Sequence, residues 1–365
     1  MIGNALVVGG GIGGMTAAIA LRRIGVAVDL IDVDPLWRVY GAGISVTGLS
    51  LRAFDHLGIL DEIRQHGYVG SSVRNLNFTG ELMSEDPLAE ESGGILRPVL
   101  HRILASTVRK EGVSVALGVT VESLEQAESH VDVTFSDGRE SRYDLVVGAD
   151  GIYSSIRTMI FPDAPSPKFT GQGCWRVVAP RPADMACGES YLSGPNRIGL
   201  NPVTKDEMYM FLLEHVPGNP RFPDSELVPH LRALMEPFGG NLPAVRDSIL
   251  EPSQINYRPL ECLLLPAPWY RGRVVIIGDA AHATTPHLAS GAGLAAEDGL
   301  VLAEEIARHD ELADALAAFM DRRFERARMV VEGSVRIGEI QMSGETALTA
   351  GAMVGSIIKQ MREPF

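Results

Sequence analysis

Cysteine is nearly absent from this chain of 365 residues. The three present, Cys174, Cys187 and Cys262, are odd in number, widely spaced and form no C-x-x-C pair. A disulfide framework, a zinc knuckle and a dithiol redox motif are thereby excluded, and a reducing, cytoplasmic setting is expected. Basic charge is also scarce: 32 Lys and Arg against 46 Asp and Glu leave a formal charge of −14. No Lys/Arg-rich block appears, so no nucleic-acid partner is expected. No apolar run approaches the ~18–20 residues of a membrane span, and no basic leader opens the chain, so neither a membrane partner nor a signal peptide is expected. Residues 352–361 (AMVGSIIKQM) are too short to span and read as a helix packed on the body, or as a contact in a homodimer. Internal repeats, low-complexity tracts and metal-ligand spacings are lacking as well, so no metal site is expected.

What is plentiful is apolar side chain and glycine. Hydrophobic residues make up 45% and there are 39 glycines, which suits a large core with many tight turns. The length allows about two domains, or one with a large insertion. Residues 4–8 (NALVV) read as a buried strand, the next apolar-periodic stretch as a helix ending near Gly25, and VAVDLID as a second strand, which together make a β-α-β unit. Residues 51–66 and 99–112 read as amphipathic helices. SVALGVTVESLEQ, HVDVTFSDGRE and YDLVVGAD read as strands, with a turn at 136–138. From about 161 to 268 the pattern changes to alternating β-branched and aromatic residues, the mark of an antiparallel sheet, with one helix at LVPHLRALMEPF. RGRVVIIGDAAH then returns to the buried-strand pattern, and residues 294–342 are largely helical.

Two loops carry the chemistry. Gly9-x-Gly11-x-x-Gly14 follows the first strand and opens the first helix, with Ile12 and Gly13 inside it. Gly9 allows the tight turn, Gly11 lets a pyrophosphate approach the backbone, and Gly14 lets helix pack on strand. Asp32 ends the second strand, where a carboxylate accepts from a ribose diol. NAD and FAD both satisfy this pattern. The second loop, Gly278-Asp279-Ala280-Ala281-His282 to Gly291-Ala292-Gly293, also lies between a strand and a helix. Asp279 suits a polyol hydroxyl, and the small residues leave the helix entry open to an electron-rich ring edge. It suits the ribitol and isoalloxazine of FAD.

In these motifs the chain resembles the group A flavoprotein aromatic hydroxylases, the family of p-hydroxybenzoate hydroxylase. The similarity runs from residue 5 to about 320. It rests on the first glycine motif with its acid, on Asp150-Gly151-x-x-Ser154-x-x-Arg157, and on Gly278-Asp279 with Pro286, Gly291 and Glu297-Asp298. Arg97-Pro98-Val99-Leu100, and Gly41-Ala42-Gly43-Ile44 preceded by Arg38, are weaker matches; Ala289-Ser290 and Gly293 depart from the usual pattern.

The resemblance implies an α/β fold. A Rossmann-like FAD-binding domain (1–75, 97–160 and 269–330) would carry a smaller antiparallel-sheet substrate domain (76–96 and 161–268) and a C-terminal helical segment (331–365). It implies FAD as cofactor, NADH or NADPH as co-substrate received near the Asp150–Gly151 segment, and O2 as oxidant. Asp279 would bind the ribitol, Arg97 would lie near the phosphates or ribitol, and the reaction would hydroxylate a small electron-rich aromatic. Substrate contacts are expected from Trp175, Arg176, Tyr191, Tyr209, Phe211 and His215, and from Pro286 and His287 of the second loop. Arg176 would pair with a carboxylate, and His215 and His287 are candidate bases. A same-fold epoxidase or reductase of isoprenoid-like chains, and a non-catalytic FAD-containing binding protein, satisfy the same motifs.

Overall fold

The computed structural model describes residues 2–39, 41–343 and 347–365. A six-stranded sheet forms the centre of the larger body, in the order Tyr270–Arg271, Val274–Ile276, Leu145–Gly148, Asn4–Val8, Ala27–Asp32, Ser114–Leu117. All neighbours run parallel except the short edge strand at Tyr270. The strands at Leu145 and Val274 are buried at every position, as a sheet covered on both faces requires.

Helices Ile12–Arg23 and Gly291–Arg308 pack closely across this sheet. Gly299 makes the approach possible, since a Cβ there would fall 2.5 Å from the Ala17 nitrogen. The first helix ends as its glycine predicts: Gly25 adopts φ +93°, its N–H donates to Arg22, and Val26 donates to Leu21, a Schellman cap. Gly112 closes helix Arg97–Lys110 in the same way. The same cap explains one departure. Residues 51–66 do not form one helix but two, Gly48–His56 and Leu60–His66, because Gly58 takes φ +67° between them and the amides of Gly58 and Ile59 turn back onto Asp55 and Phe54.

The second sheet has eight strands, in the order Ile255–Cys262, Lys168–Pro180, Glu207–His215, Arg197–Pro202, Gly188–Tyr191, Tyr68–Leu76, Leu82–Leu96, Gly43–Val46. It takes in more of the N-terminal third than the boundary at residue 75 allows. Tyr68–Leu76 pairs antiparallel with Leu82–Leu96 but parallel with Gly188–Tyr191, the one departure from the expected antiparallel order, and Gly43–Val46 forms the far edge. One face packs on helices Asp224–Met235 and Leu242–Ser248 around Trp175, Met210, Leu212 and Leu231. The other faces the first body across a cleft. Helix Leu312–Ser343 runs unbroken through the boundary drawn at 330, and helix Ala347–Met361 seats Ile357 and Met361 against Leu49, Leu288 and Val330. Among the described residues no helix is long and apolar enough to cross a membrane.

Candidate active site

The cleft between the two sheets has a volume of about 1130 Å³. A single small ligand needs roughly 300–1,000 Å³, so the space admits a long cofactor together with a ring.

On the parallel-sheet side the lining is mostly backbone. The three glycines of the first motif separate by what a Cβ would meet. At Gly14 it would collide with the Gly9 carbonyl. At Gly9, which has φ +106°, it would run into the backbone of Ala149 and Asp150. At Gly11 it would meet nothing within 4 Å. Gly9 and Gly14 therefore serve the fold, and Gly11 faces the ligand with Ile12 and Gly13. Asp32 accepts from the Gly10 amide at 2.7 Å and the Asp34 amide at 2.8 Å, so it braces the turn from behind. Asp150 is likewise held by its own segment: the Ser155 amide at 2.7 Å, the Ile156 amide at 3.1 Å and the hydroxyls of Ser154 and Ser155 all donate to it. It shapes the turn that presents Gly151 to the cleft.

Arg97, Gly43, Gly278, Asp279, Pro286, Gly291 and Ala292 line the same space. The Arg97 stem passes under Gly41, where a Cβ would sit 2.8 Å from its Cδ. Burial pulls the Arg97 guanidinium below its ordinary range, and Arg176 adds to this by repulsion. Burial raises the Asp279 carboxyl, against the pull of His282 and Arg97. Besides Gly9, Gly14, Asp32 and Asp150, which shape the turns from behind, two more expected cofactor contacts lie off the lining. Arg38 is exposed and bound to Asp34 at 2.8 Å, and Gly293 packs against Leu49 and Ser50, where a Cβ would fall 2.8 Å from Leu49 Cγ.

Behind the second loop lies a buried ionic cluster. Asp298 accepts from the Gly278 amide at 2.8 Å, His282 Nε2 at 2.6 Å and Arg323 Nε at 2.8 Å. Arg323 also donates to Glu297 at 2.7 Å. Burial alone would raise the Asp298 carboxyl, but His282 and Arg323 hold it down at about 2. Because Asp298 grips the Gly278 amide and the His282 ring at once, it sets the loop that carries Asp279.

The antiparallel sheet presents side chains. Directly opposed residues of an antiparallel pair share a face. Arg176 opposes Phe211 and Asn256, and Val178 opposes Tyr209, so Arg176, Tyr209 and Phe211 point into the cleft together. The Tyr209 and Phe211 rings lie 6.3 Å apart, and Tyr209 hydrogen-bonds Arg176. Three other expected contacts are corrected. Trp175 is one residue out of phase with Arg176, so it faces the opposite core and donates to Glu214 at 2.8 Å. Tyr191 lies in that same core against Phe238. His215 ends its strand exposed to solvent and lines no part of the cleft. His287 does line it, with Nδ1 2.9 Å from Thr285 Oγ1.

Three residues near the cleft went unread in the sequence. His101 lies one turn after Arg97 on the same helix face, lines the cleft, and has a buried Nε2 with no partner. The i, i+4 spacing from Arg97 was the available signal. Trp37 is held at φ +49° with Nε1 donating to the Gly10 carbonyl at 2.9 Å, and nothing local marks it. Arg197, lowered to about 10 by burial, donates to the Tyr191 carbonyl and to Ser190 Oγ.

The residues fit FAD. An open glycine at a helix N-terminus, Arg97 and Asp279 on the lining, and the orphaned His101 nitrogen are distributed over a cleft voluminous enough for it. Residues 3–334 match the FAD binding domain family. The chain is 31% identical to a putative FAD-dependent monooxygenase of Bacillus subtilis, over 99% of both chains. It is 30% identical to the 2-heptyl-3-hydroxy-4(1H)-quinolone synthase of Pseudomonas aeruginosa, over 92% of this chain and 88% of that one. The fold is similar to that of HpxO of Klebsiella pneumoniae, solved with FAD and uric acid, with a TM-score of 0.85, 25% identity and coverage of 97% and 96%. The cofactor is FAD, and NAD(P)H is the reductant typical of such enzymes. The chain thus belongs to the FAD binding domain family, among its FAD-dependent monooxygenases.

Proposed function

We propose that the substrate is a flat, electron-rich heteroaromatic ring bearing an acidic oxygen, either an ionisable hydroxyl or a carboxylate. The observation that carries this reading is Arg176. It lines the cleft directly opposite Phe211 and hydrogen-bonds Tyr209, and among the described residues it has no carboxylate partner. A desolvated cation without a counter-charge calls for an anionic ligand group, and the two aromatic rings beside it offer a flat apolar wall. The heterocycles named for the quinolone synthase and for the uric acid complex support the same class. A hydrocarbon chain would leave Arg176 unpaired, which disfavours an isoprenoid substrate.

The division of labour follows from the lining. Gly11–Gly13 offer backbone N–H groups and a helix N-terminus to the pyrophosphate. Asp279 and Arg97 would hold the ribitol side, and Gly291 and Ala292 would meet the ring edge. Bound there and reduced by NAD(P)H, FAD would supply the chemistry that activates O2 for transfer of one oxygen atom to the ring. Arg176 orients the substrate ring and stabilises its anionic oxygen, which makes the ring a better nucleophile. Pro286 and His287 close the opposite side of the ring, and the apolar wall keeps water from the reacting carbon.

The test is NAD(P)H oxidation in air by the FAD-loaded protein with 4-hydroxyquinolines, urate, hydroxypyridine carboxylates and simple phenols, with mass spectrometry for an added oxygen atom. A ring that accelerates oxidation and gains oxygen is the expected result. Arg176→Met is then expected to raise KM for that ring roughly 10- to 100-fold, the worth of a charge-assisted hydrogen bond, with FAD content unchanged. If no ring alters the rate of a flavin-replete protein, the aromatic assignment falls.

A further inference from the structure

We propose that the His101 imidazole donates a hydrogen bond to the FAD diphosphate, and that Trp37 positions the ring for that contact. The proposal rests on the cofactor assignment of the cleft and is independent of which aromatic ring is the substrate.

Two polar side chains on one face of helix Arg97–Lys110 line the cleft, Arg97 and His101. They lie one turn apart, roughly 6 Å along the helix axis. Their surroundings differ. Arg97 is acted on by Arg176 and Asp279, so it lies toward the substrate wall and the second loop. His101 is acted on by Asp32, so it lies toward the first loop and the end of strand Ala27–Asp32. Asp279 suits the ribitol of FAD, and the strand end at Asp32 suits the adenosine ribose. The group that joins ribitol to ribose in FAD is the diphosphate. His101 therefore flanks the diphosphate from the helix side, while Gly11–Gly13 and their helix N-terminus meet it from the sheet side.

The ring is held in place. Trp37 meets it edge to face, with ring centroids 5.2 Å apart at 88°. Trp37 is buried and takes φ +49°, a conformation that is costly for a bulky residue. Its Nε1 donates to the Gly10 carbonyl at 2.9 Å, and the Arg109 guanidinium covers its ring at 5.2 Å. One indole thus ties the imidazole to the glycine loop, so the His101 donor and the N–H groups of the loop keep a fixed spacing.

What the ring lacks is an acceptor. Burial favours the neutral imidazole, against the pull of Asp32. A neutral imidazole carries one N–H. Nε2 is shielded from water and has no hydrogen bond. Asp32, the carboxylate that acts on the ring, already accepts from the Gly10 and Asp34 amides. A buried donor without an acceptor is unfavourable, and a phosphate oxygen is an acceptor whose charge strengthens the bond. The unpaired nitrogen is a cost that the FAD-free protein carries and that FAD removes.

The test measures FAD affinity of the full chain by flavin fluorescence, after reversible removal of the cofactor. His101→Leu is expected to weaken FAD binding about 10- to 100-fold. His101→Gln, whose amide nitrogen reaches the place of Nε2, is expected to stay within about 3-fold of wild type. Melting of the FAD-free proteins separates binding from packing. Because leucine removes an unpaired polar atom, FAD-free His101→Leu is expected to melt at or above the wild-type temperature. A lower melting temperature there, or a glutamine variant as weak as the leucine one, marks a structural ring and overturns the proposal.

Fragments of the cofactor place the contact. In His101→Leu, ADP is expected to lose the same factor as FAD, while adenosine loses none. An equal loss for adenosine puts the partner on the ribose and sinks the assignment to the diphosphate. In 15N-histidine-labelled protein the His101 Nε2–H is expected to become protected from exchange when FAD binds, and an unchanged signal counts against the contact. Trp37→Phe is expected to weaken FAD binding about 3- to 10-fold, and the double variant is expected to lose less than the product of the single losses, since both act on one contact. A strictly multiplicative loss overturns the role given to Trp37. FAD content of the wild-type protein tests the cofactor assignment by itself, so a His101→Leu variant that binds FAD as tightly as wild type overturns this proposal alone.

Discussion

The two walls of the cleft are made of different material. The parallel-sheet wall meets its ligand with backbone and glycine, and its acids are largely occupied before any ligand arrives: Asp32 by two amides, Asp150 by its own turn, Asp298 by Gly278, His282 and Arg323. The antiparallel wall meets its ligand with long side chains, and among the described residues no carboxylate pairs with its Arg176. One wall is largely satisfied by its own backbone, with His101 Nε2 the atom it leaves over, and therefore suits a cofactor common to many enzymes. The other is incomplete without ligand and therefore carries specificity.

The contrast can be broken most forcefully at its best-satisfied point. Arg323→Ala strips both Glu297 and Asp298 of their partner inside the core. A loss of about 3–5 kcal/mol is expected in chemical denaturation, with FAD binding lost alongside it because Gly278 is no longer anchored.

Next comes the acid limb of stability. His287 titrates near 4 in the folded protein and near 6.5 when unfolded, so as pH falls below about 6.5 the unfolded chain takes up the proton first. Stability is therefore lost between about pH 6.5 and 4, on the order of 3 kcal/mol. His287→Gln is expected to flatten that limb in thermal melts. An unchanged limb would show that the ring is not buried as described.

The glycines separate fold from ligand within one loop. Gly14→Ala collides with the Gly9 carbonyl, and loss of soluble folded protein is expected. Gly11→Ala meets nothing, so denaturation of the FAD-free protein is expected to stay within about 0.5 kcal/mol of wild type while FAD affinity falls at least 10-fold. Equal damage to stability from both would refute the assignment of Gly11 to the ligand.

The smallest expected effect sharpens the other wall. Trp175→Phe loses one hydrogen bond to Glu214, worth about 1–2 kcal/mol of stability, and is expected to leave the KM of the turned-over ring unchanged. A raised KM would return Trp175 to the pocket.

The parallel-sheet wall was legible because its chemistry is local. A strand, a glycine loop and a helix N-terminus lie within about 15 residues, and the loop's function depends on backbone shape that glycine alone permits. The antiparallel wall was legible only as a set of candidates. Alternation places Tyr209 and Phe211 on one face, but which face meets the cofactor is set by the register between strands 35 residues apart, where Arg176 comes to oppose Phe211. A shift of one residue would have brought Trp175 into the pocket in place of Arg176. The split of residues 51–66 at Gly58 and the early entry of Tyr68–Leu76 into the second sheet escaped for the same reason, since a glycine in a helical pattern and a strand's choice of neighbour are settled by packing.

The sequence by itself determined the α/β architecture and the residues that shape the glycine loop, because each depends on short stretches whose geometry is intrinsic to the chain, and its motifs carried the family resemblance that implies the cofactor and the reaction. Only the tertiary structure decided which side chains face the substrate, that Asp298 and Arg323 anchor the second loop, and that Trp37 meets His101 beside the first. Those residues come from segments 20 or more positions apart, and their protonation, partners and reach exist only once packing has removed the water between them.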